Sequence, residues 1–584
     1  MSQATLASLL PLAVAIPITG AVAAPLAARL SRRLPLLISV AAASGSTVVL
    51  CLVAPRVYGG HVLAHYLGHW VPVGGKPLGV GFAADAFGLT FALATSAIGV
   101  VLLIYTLSEI GGGLAPRELG GYTCLFQLML AGLIGAALTA DLFNLFVWFE
   151  VASLSSYGLT GFFLERPIAL EAAFKLLVLK TLASFAIFIG VGLLYAEHGA
   201  LNFGQLQHAL AGHVHRSDLV ALGLLVAGFA TKAGLVPFHG WLPDAHTAAP
   251  GSVSALFSGL MVNLGIVALG RIGLQLYGPH GRHHVLGLLM AIGLASALAG
   301  SLLALAQDDL KRLLAYDTVS QMGILAVGLS TADPGGVAGA AYHLVNHALF
   351  KALLFLCAGA ILTMTGATRL SQMGGLARRK PLLTAVFTLA VLAIAGVPPL
   401  NGYASLGLIH DALQKTGHPV VLAGVLVAQI FTIAALGRAA YLGFYRPRPE
   451  PYETMERLRP GMLIGMCVLG AGCLAFGLAP GIIVHHVAAP AASSLLHPGS
   501  YATGILAGGV RLPHQAIAFD YFKPEDMLLV AATVVLGVAL ARWYLRTAEP
   551  VPIRALRSLQ TGSVNDYAAY AVLGLLIAVV ALLV

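Results

Sequence analysis

Charge is what this chain has least of. Only 9% of its 584 residues are Asp, Glu, Lys or Arg, while 58% are hydrophobic. A water-soluble domain could not bury that much apolar surface, so the composition excludes a soluble globular protein and places the chain in a membrane. Cysteine is scarce as well. Cys51, Cys124, Cys357, Cys467 and Cys473 are scattered through apolar stretches with no CxxC pair, which argues against iron–sulfur ligation and against a structural zinc site. No GxGxxG follows a strand, and there is neither a Walker-type loop nor a nucleophile-plus-base constellation. The chain therefore offers no catalytic residues, no metal site and no cofactor site, and any redox or ATP chemistry coupled to it takes place in another subunit. Alternating strands of about ten residues are missing too, which favours helices over a barrel.

What remains is a succession of long apolar runs. We count about sixteen spans of helical length. They begin near Leu6, Leu36, Phe87, Tyr122, Leu142, Ile168, Leu219, Val253, Val285, Leu313, Ala338, Leu382, Val420, Met462, Met527 and Ala568. The first lacks a basic flank and is too long for a cleaved signal. Most of the Lys and Arg fall in the odd-numbered loops, among them Arg29, Arg32, Arg33, Lys311, Arg312, Arg378, Arg379, Lys380, Arg446, Arg448, Arg542 and Arg546. By the positive-inside rule those loops are cytoplasmic and both termini are outside, in a cell inner (cytoplasmic) membrane. The net charge of +9 is thus mostly anchoring and calls for no nucleic acid; these loops also suit acidic partner subunits or anionic lipid.

Two spans carry proline and glycine deep in apolar sequence: TKAGLVPFHGWLPDAH in the seventh and AIAGVPPLNGYASLGLIH in the twelfth. Paired interrupted helices point to an inverted-repeat transporter with sites near the midplane. Residues 482–526, rich in His, Pro, Ala and Gly, read as a long external loop, and the two helices after it as an appendage to a fourteen-helix core.

The charges inside the spans are the functional candidates, because an ionisable group in mid-bilayer costs at least ~2.5–3.5 kcal/mol. Lys232 sits beside the seventh-span break, and Glu150, mid-helix in the fifth span, is its natural counter-charge. A buried lysine can release its proton where an arginine cannot, which suits a relay. His343, His347 and Lys351 recur every four residues in the eleventh span and so share a face. Histidine passes protons near neutrality, and without the glutamate of HExxH the pair is not a zinc helix. Lys175 pairs with Glu171 one turn away, whereas Lys180 lies deeper. His239 and His246, with Trp241 and Asp244, flank the seventh-span break, placed to cap the broken helix or admit protons. Asp317 and Arg438 lie near span ends and are expected to snorkel as structural residues.

TKAGLVPFHGWLPDAHTAAPGSVSAL, DLKRLLAYDTVSQMGILAVG and NHALFKALLFLCAGA resemble the antiporter-like subunits of respiratory complex I and of Mrp-type sodium/proton antiporters. GGLARRKPLLTAVFTL followed by GVPPLNGY is most similar to the large membrane subunit of formate-hydrogenlyase-type hydrogenases and to the Mrp D-type subunit. The resemblance runs from about Asp85 to Tyr445. It implies an all-α polytopic fold with N-terminal helices over 1–120 and two inverted five-helix repeats over 121–276 and 284–445, with helices 14–16 following over 460–584. It also implies a proton path through Glu150, Lys232, His343, His347 and Lys351. Two positions depart from the family pattern. The eighth span offers Ser258 and Asn263 where a Lys or His is usual. In the twelfth the usual Glu or Lys is Leu406, with His410 one turn on beside Asp411. His410 either replaces the terminal site or the path is closed there, and Asp317, where serine is usual, is a compensating acid. The expected function is a proton-translocating subunit of a larger membrane complex, driven by redox chemistry elsewhere. The alternatives are a sodium/proton antiporter subunit, the partner of a soluble zinc protein in inorganic-carbon uptake, or a non-conducting scaffold.

Overall fold

A computed structural model describes residues 2–583 except 78, 111–112, 213, 278, 449–451, 453–454, 548–553, 555–557 and 559–561. Fifteen of its helices are long and apolar enough to cross a membrane. The remaining expected span, the twelfth, is present as two pieces, Pro381–Ile394 and Asn401–Lys415, each too short to cross alone. The spans thus follow the hydropathy of the sequence, and the one that length alone misses is one of the two that proline interrupts.

The breaks have a common local cause. In the seventh span the helix Arg216–Ala233 ends on Gly234, whose φ of 73° is a left-handed cap. Pro237 then cannot donate to a continuing helix, and the chain resumes as Trp241–Ala248. In the twelfth, Gly396 has the same φ of 73°, and Pro398 and Pro399 follow before Asn401. The peptides preceding Pro237 and Pro399 are both cis. The eighth span, Gly251–Leu276, is buried throughout, and the tenth, Leu310–Ser330, everywhere but at Arg312. The eighth widens into π-helix at Phe257–Met261 and Arg271–Leu276, a departure from α-geometry that is frequent at functional sites.

Two elements differ from expectation. A short antiparallel hairpin, β1 (Leu63–Tyr66) with β2 (Gly81–Ala84), follows the second span. The stretch expected as loop from residue 482 is helical as far as Leu506, in Pro480–Leu496 and Pro498–Leu506. Of its prolines, which suggested a loop, Pro480 and Pro498 stand in first turns, where the missing N–H costs nothing, and Pro490 follows the π-helical stretch Val484–Ala488. Ala488, Ala491, Ala492 and Leu495 give it a buried face. It locks onto the hairpin, with the Tyr66 hydroxyl donating to the Ile505 carbonyl at 3.2 Å.

The last two spans pack back on their own chain, the sixteenth on the first broken region and the fifteenth on the thirteenth span with its first turns facing the second break. The sixteenth, Val564–Leu583, lies on the seventh-span break, where a Cβ on Gly574 would come within 2.8 Å of the Phe238 ring. The fifteenth, Pro524–Arg546, lies on the thirteenth, where a Cβ on Gly537 would come within 2.6 Å of Ile433. We expect Gly574→Val to lower the stability of the detergent-solubilised protein by about 1–3 kcal/mol, the usual cost of overpacking. Gly192→Ala, with nothing within 4 Å, should be neutral or slightly stabilising in the same thermal unfolding assay, and equal effects would contradict this packing.

Candidate functional site

Within the first half, Asp141 caps the fifth span, Leu142–Thr160, by accepting from the Asn144 N–H at 2.6 Å. Glu150 follows two turns further in. The Lys232 ammonium donates to Glu150 Oε1 at 2.9 Å, to Ser153 Oγ at 2.9 Å and to Ser184 Oγ at 2.8 Å. An ammonium has three donors, so Lys232 is fully satisfied, and among the described residues its only anionic partner is Glu150. Ser184 closes the triangle by donating to Glu150 Oε1 at 2.5 Å. Lys232 is 1% exposed, whereas the Glu150 side chain is 27% exposed. The expected pair is therefore present, with the acid on the flank of the molecule and the base inside.

Lys180 is wholly buried and, among the described residues, has no carboxylate at salt-bridge distance. Its Nζ lies 4.2 Å from the centre of the Trp241 ring and 3.0 Å from the Met261 sulfur. A cation–π contact and a soft sulfur are weak substitutes for a counter-ion. Lys175 instead pairs with Glu171 at 2.6 Å and with Asp244 at 3.1 Å, and Arg312 stands 3.5 Å from the same Asp244. His239 meets Tyr316 edge-on. His246 stacks on Phe355 at 4.4 Å, and neither of its ring nitrogens has a hydrogen-bond partner among the described residues.

The second half is arranged differently from the sequence expectation at two points. Asp317 does not snorkel. It is enclosed in the buried tenth span, its side chain is too short to reach an interface, and it is the counter-ion of Lys351 at 2.5 Å, with both side chains fully buried. Thr432 donates to its second oxygen at 2.9 Å. Arg438 also stays inside, where it donates to the carbonyls of Leu305 and Gln307 at 2.9 Å and so closes the end of the ninth span. His343 bonds Ser405 Oγ and Gln321 Oε1, each at 2.9 Å, while His347 has no hydrogen-bond partner among the described residues. Asn263 donates to the carbonyls of Gly259 and Leu344, which ties the eighth span to the eleventh. Leu406 is buried among Ile324, Ile409 and Val425. His410 is 8% exposed with Nε2 unpartnered, and Asp411 turns away from it to pair with Lys523.

These groups form a series. Lys180 is within electrostatic reach of Lys232 and Glu150, and His246 of both Lys180 and Lys351. His347 is within reach of Lys351 and His343, and His343 of His410. The series from Glu150 to His410 includes Lys180 and His246 and not the neutral Asn263. Sequence reading missed the serines around Lys232 and the Ser405–Gln321 clasp on His343, because short hydroxyls carry no pattern. It also missed Arg271, which lies fully buried in the eighth span against Asp85 at 2.8 Å, with Gln275 and Tyr501 also accepting from its Nη1. An arginine in the uninterrupted apolar run GIVALGRIGLQL was the available signal.

Comparison with known proteins follows the same outline. The family model described as NADH:quinone oxidoreductase/Mrp antiporter, TM, matches residues 139–432. NADH-quinone oxidoreductase subunit N of Desulforudis audaxviator is 34% identical over 80% of this chain and 95% of its own length. The D subunit of the Na(+)/H(+) antiporter of Bacillus subtilis is 29% identical over 80% and 93%. Hydrogenase-4 component B of Escherichia coli is 33% identical over 68% of this chain, which spans 62% of that longer protein. Among solved structures, a chain of the Mrp complex from Dietzia sp. DQ12-45-1b superposes with a TM-score of 0.78 at 26% identity, over 87% of this chain and all of the other. A chain of the archaeal membrane-bound sulfane sulfur reductase gives 0.78 at 28% identity, over 86% and 100%.

The Asp317–Lys351 pair yields a direct test. Asp317→Ala leaves a buried unpaired ammonium and should cost about 3–5 kcal/mol of stability, while Asp317→Ala combined with Lys351→Met should recover most of it. Thermal unfolding of the purified chain measures both, and additive losses would show that the two do not act as a pair.

Proposed function

Because the chain belongs to the NADH:quinone oxidoreductase/Mrp antiporter transmembrane family, as an antiporter-like subunit of a multi-subunit membrane complex, we propose that it translocates protons along the line from Glu150 to His410, driven by a reaction in other subunits. The observation that carries this reading is the setting of Lys232. Its charge is held by one carboxylate and two hydroxyls. If Glu150 moves away, a buried ammonium is left with neutral partners only, and it sheds its proton toward Lys180 and His246; when Glu150 returns, it takes one up. The chemistry is proton transfer alone, and no group on this chain needs to be oxidised or reduced.

The same reading treats residues 121–276 and 284–445 as inverted repeats. Breaks in the seventh and twelfth spans support it, as do lysine-paired acids within the fifth (Glu150) and the tenth (Asp317), again five spans apart. In the second half Asp317 holds the charge on Lys351 as Glu150 does on Lys232, and Lys180 with His246 stands in for the base absent at Asn263. The complex sits in the cell inner membrane with both termini of this chain outside, following the loop charges. A second reading, as part of a sodium/proton antiporter, draws on the likeness to the Bacillus subtilis antiporter protein; the proteins that copurify with this chain separate the two.

Lys232→Ala should reduce proton translocation by at least about tenfold in vesicles containing the assembled complex, the loss expected when a proton-transfer group is removed. Lys232→Arg should fail as well, because it keeps the charge and cannot release it. Undiminished proton movement with either variant, in a complex of normal composition, would rule the relay out.

A further inference from the structure

The fifteenth span places its one inward-facing carboxylate beside the twelfth-span break. Asp526, Leu529, Val530 and Thr533 share a face of that helix and, with Gly407 and His410, line a cavity of about 10 Å³. That volume is close to a single water-sized sphere. His410 is buried with Nε2 unpartnered, and an Asp526 carboxylate oxygen lies 3.9 Å from where a Cβ on Gly407 would stand. Gly407 and His410 are three residues apart and so present to the same side of the helix.

Sidedness agrees with this juxtaposition. Helices alternate in direction, so the end of the twelfth span at Lys415 and the start of the fifteenth at Pro524 emerge on the same face, opposite the arginine-rich odd loops. The charged surroundings there are Asp411, Asp520, Lys523 and Glu525, with Tyr403 edge-on to Tyr521 at 5.2 Å. Asp411 pairs with Lys523 and holds that ammonium above the usual lysine range by its hydrogen bond. An acid in the first turn of a helix is by itself ordinary, since the helix dipole favours it. The unpartnered imidazole nitrogen of buried His410, a residue lining the same cavity, has no such explanation.

We propose that Asp526 is the terminal proton-exchange group of this chain, passing protons between His410 Nε2 and the outer aqueous face in place of the base missing at Leu406. A proton leaves Nε2 as the imidazole becomes neutral, crosses the one-water cavity to a carboxylate oxygen of Asp526, and is released beside the Asp411–Lys523 pair; uptake runs in reverse. The assignment rests on the proton-translocation reading and adds a residue from a span outside the matched family region.

The test uses the complex isolated through this chain, reconstituted in vesicles, with initial proton-translocation rates as the readout. Asp526→Asn keeps the shape and helix-capping capacity of the side chain and removes its exchangeable proton. It should slow translocation at least about tenfold, whereas Asp526→Glu should retain most of it and the exposed Asp520→Asn should change nothing. Gly407→Ala, a substitution that suits a helix, intrudes on the cavity without altering either group and should slow translocation several-fold. It also serves if Asp526→Asn does not assemble. A normal rate in Asp526→Asn, or in Gly407→Ala where the former fails to assemble, overturns the assignment. If Lys232→Ala abolishes transport while Asp526→Asn does not, only the exit is wrong; if the unaltered complex moves no protons, the functional reading fails with it.

Discussion

Everything in this structure answers to one constraint: inside a bilayer, a charge must find its partner within the protein. The chain meets it in two distinct ways. Arg271 is fixed against Asp85, with Gln275, Tyr501 and the Ala137 carbonyl also accepting from its two terminal nitrogens. An arginine stays charged, so this knot is permanent, and it ties the third and eighth spans to the helical segment before residue 506. Lys232 and Lys351 are instead each held by a single carboxylate. An arginine keeps its charge where a lysine can release its proton, so the two cations suit different settings.

The breaks in the seventh and twelfth spans are the second consequence. Each frees backbone groups and opens room for side chains that a continuous helix would fill, and each must then be covered. The sixteenth span covers the first, and the fifteenth covers the second. What reads in sequence as a generic hydrophobic tail is therefore the wall of both openings, and Asp526 is the place where that wall acquires chemistry.

Much of this was legible beforehand, and the reasons differ from residue to residue. The spans were legible because hydropathy over about twenty residues is a strong signal. The Glu150–Lys232 pair was legible because isolated charges in apolar sequence are few. The breaks were legible through Gly234, Pro237, Pro398 and Pro399. The partner of Asp317 was not, because its position near a helix start suggested an interface, and only the packing around the tenth span shows that it is enclosed. The helices up to Leu506 were hidden by prolines that begin helices as readily as they end them. The closeness of Lys180 and His246 was hidden because it depends on how the sixth, seventh and eleventh spans fold together.

The unequal exposure of Glu150 and Lys232 has an effect on how the chain can be addressed. Glu150 lies at the side of the molecule, near a lipid-facing surface of Phe143, Val147, Leu154, Phe185 and Phe188, while Lys232 is sealed behind it. Whatever covers that flank, whether lipid tails or a neighbouring subunit, sets the dielectric around the carboxylate without touching the lysine. The acid is an antenna and the base a receiver. A change on that flank therefore reaches the acid first, within the plane of the membrane, and the base only through it.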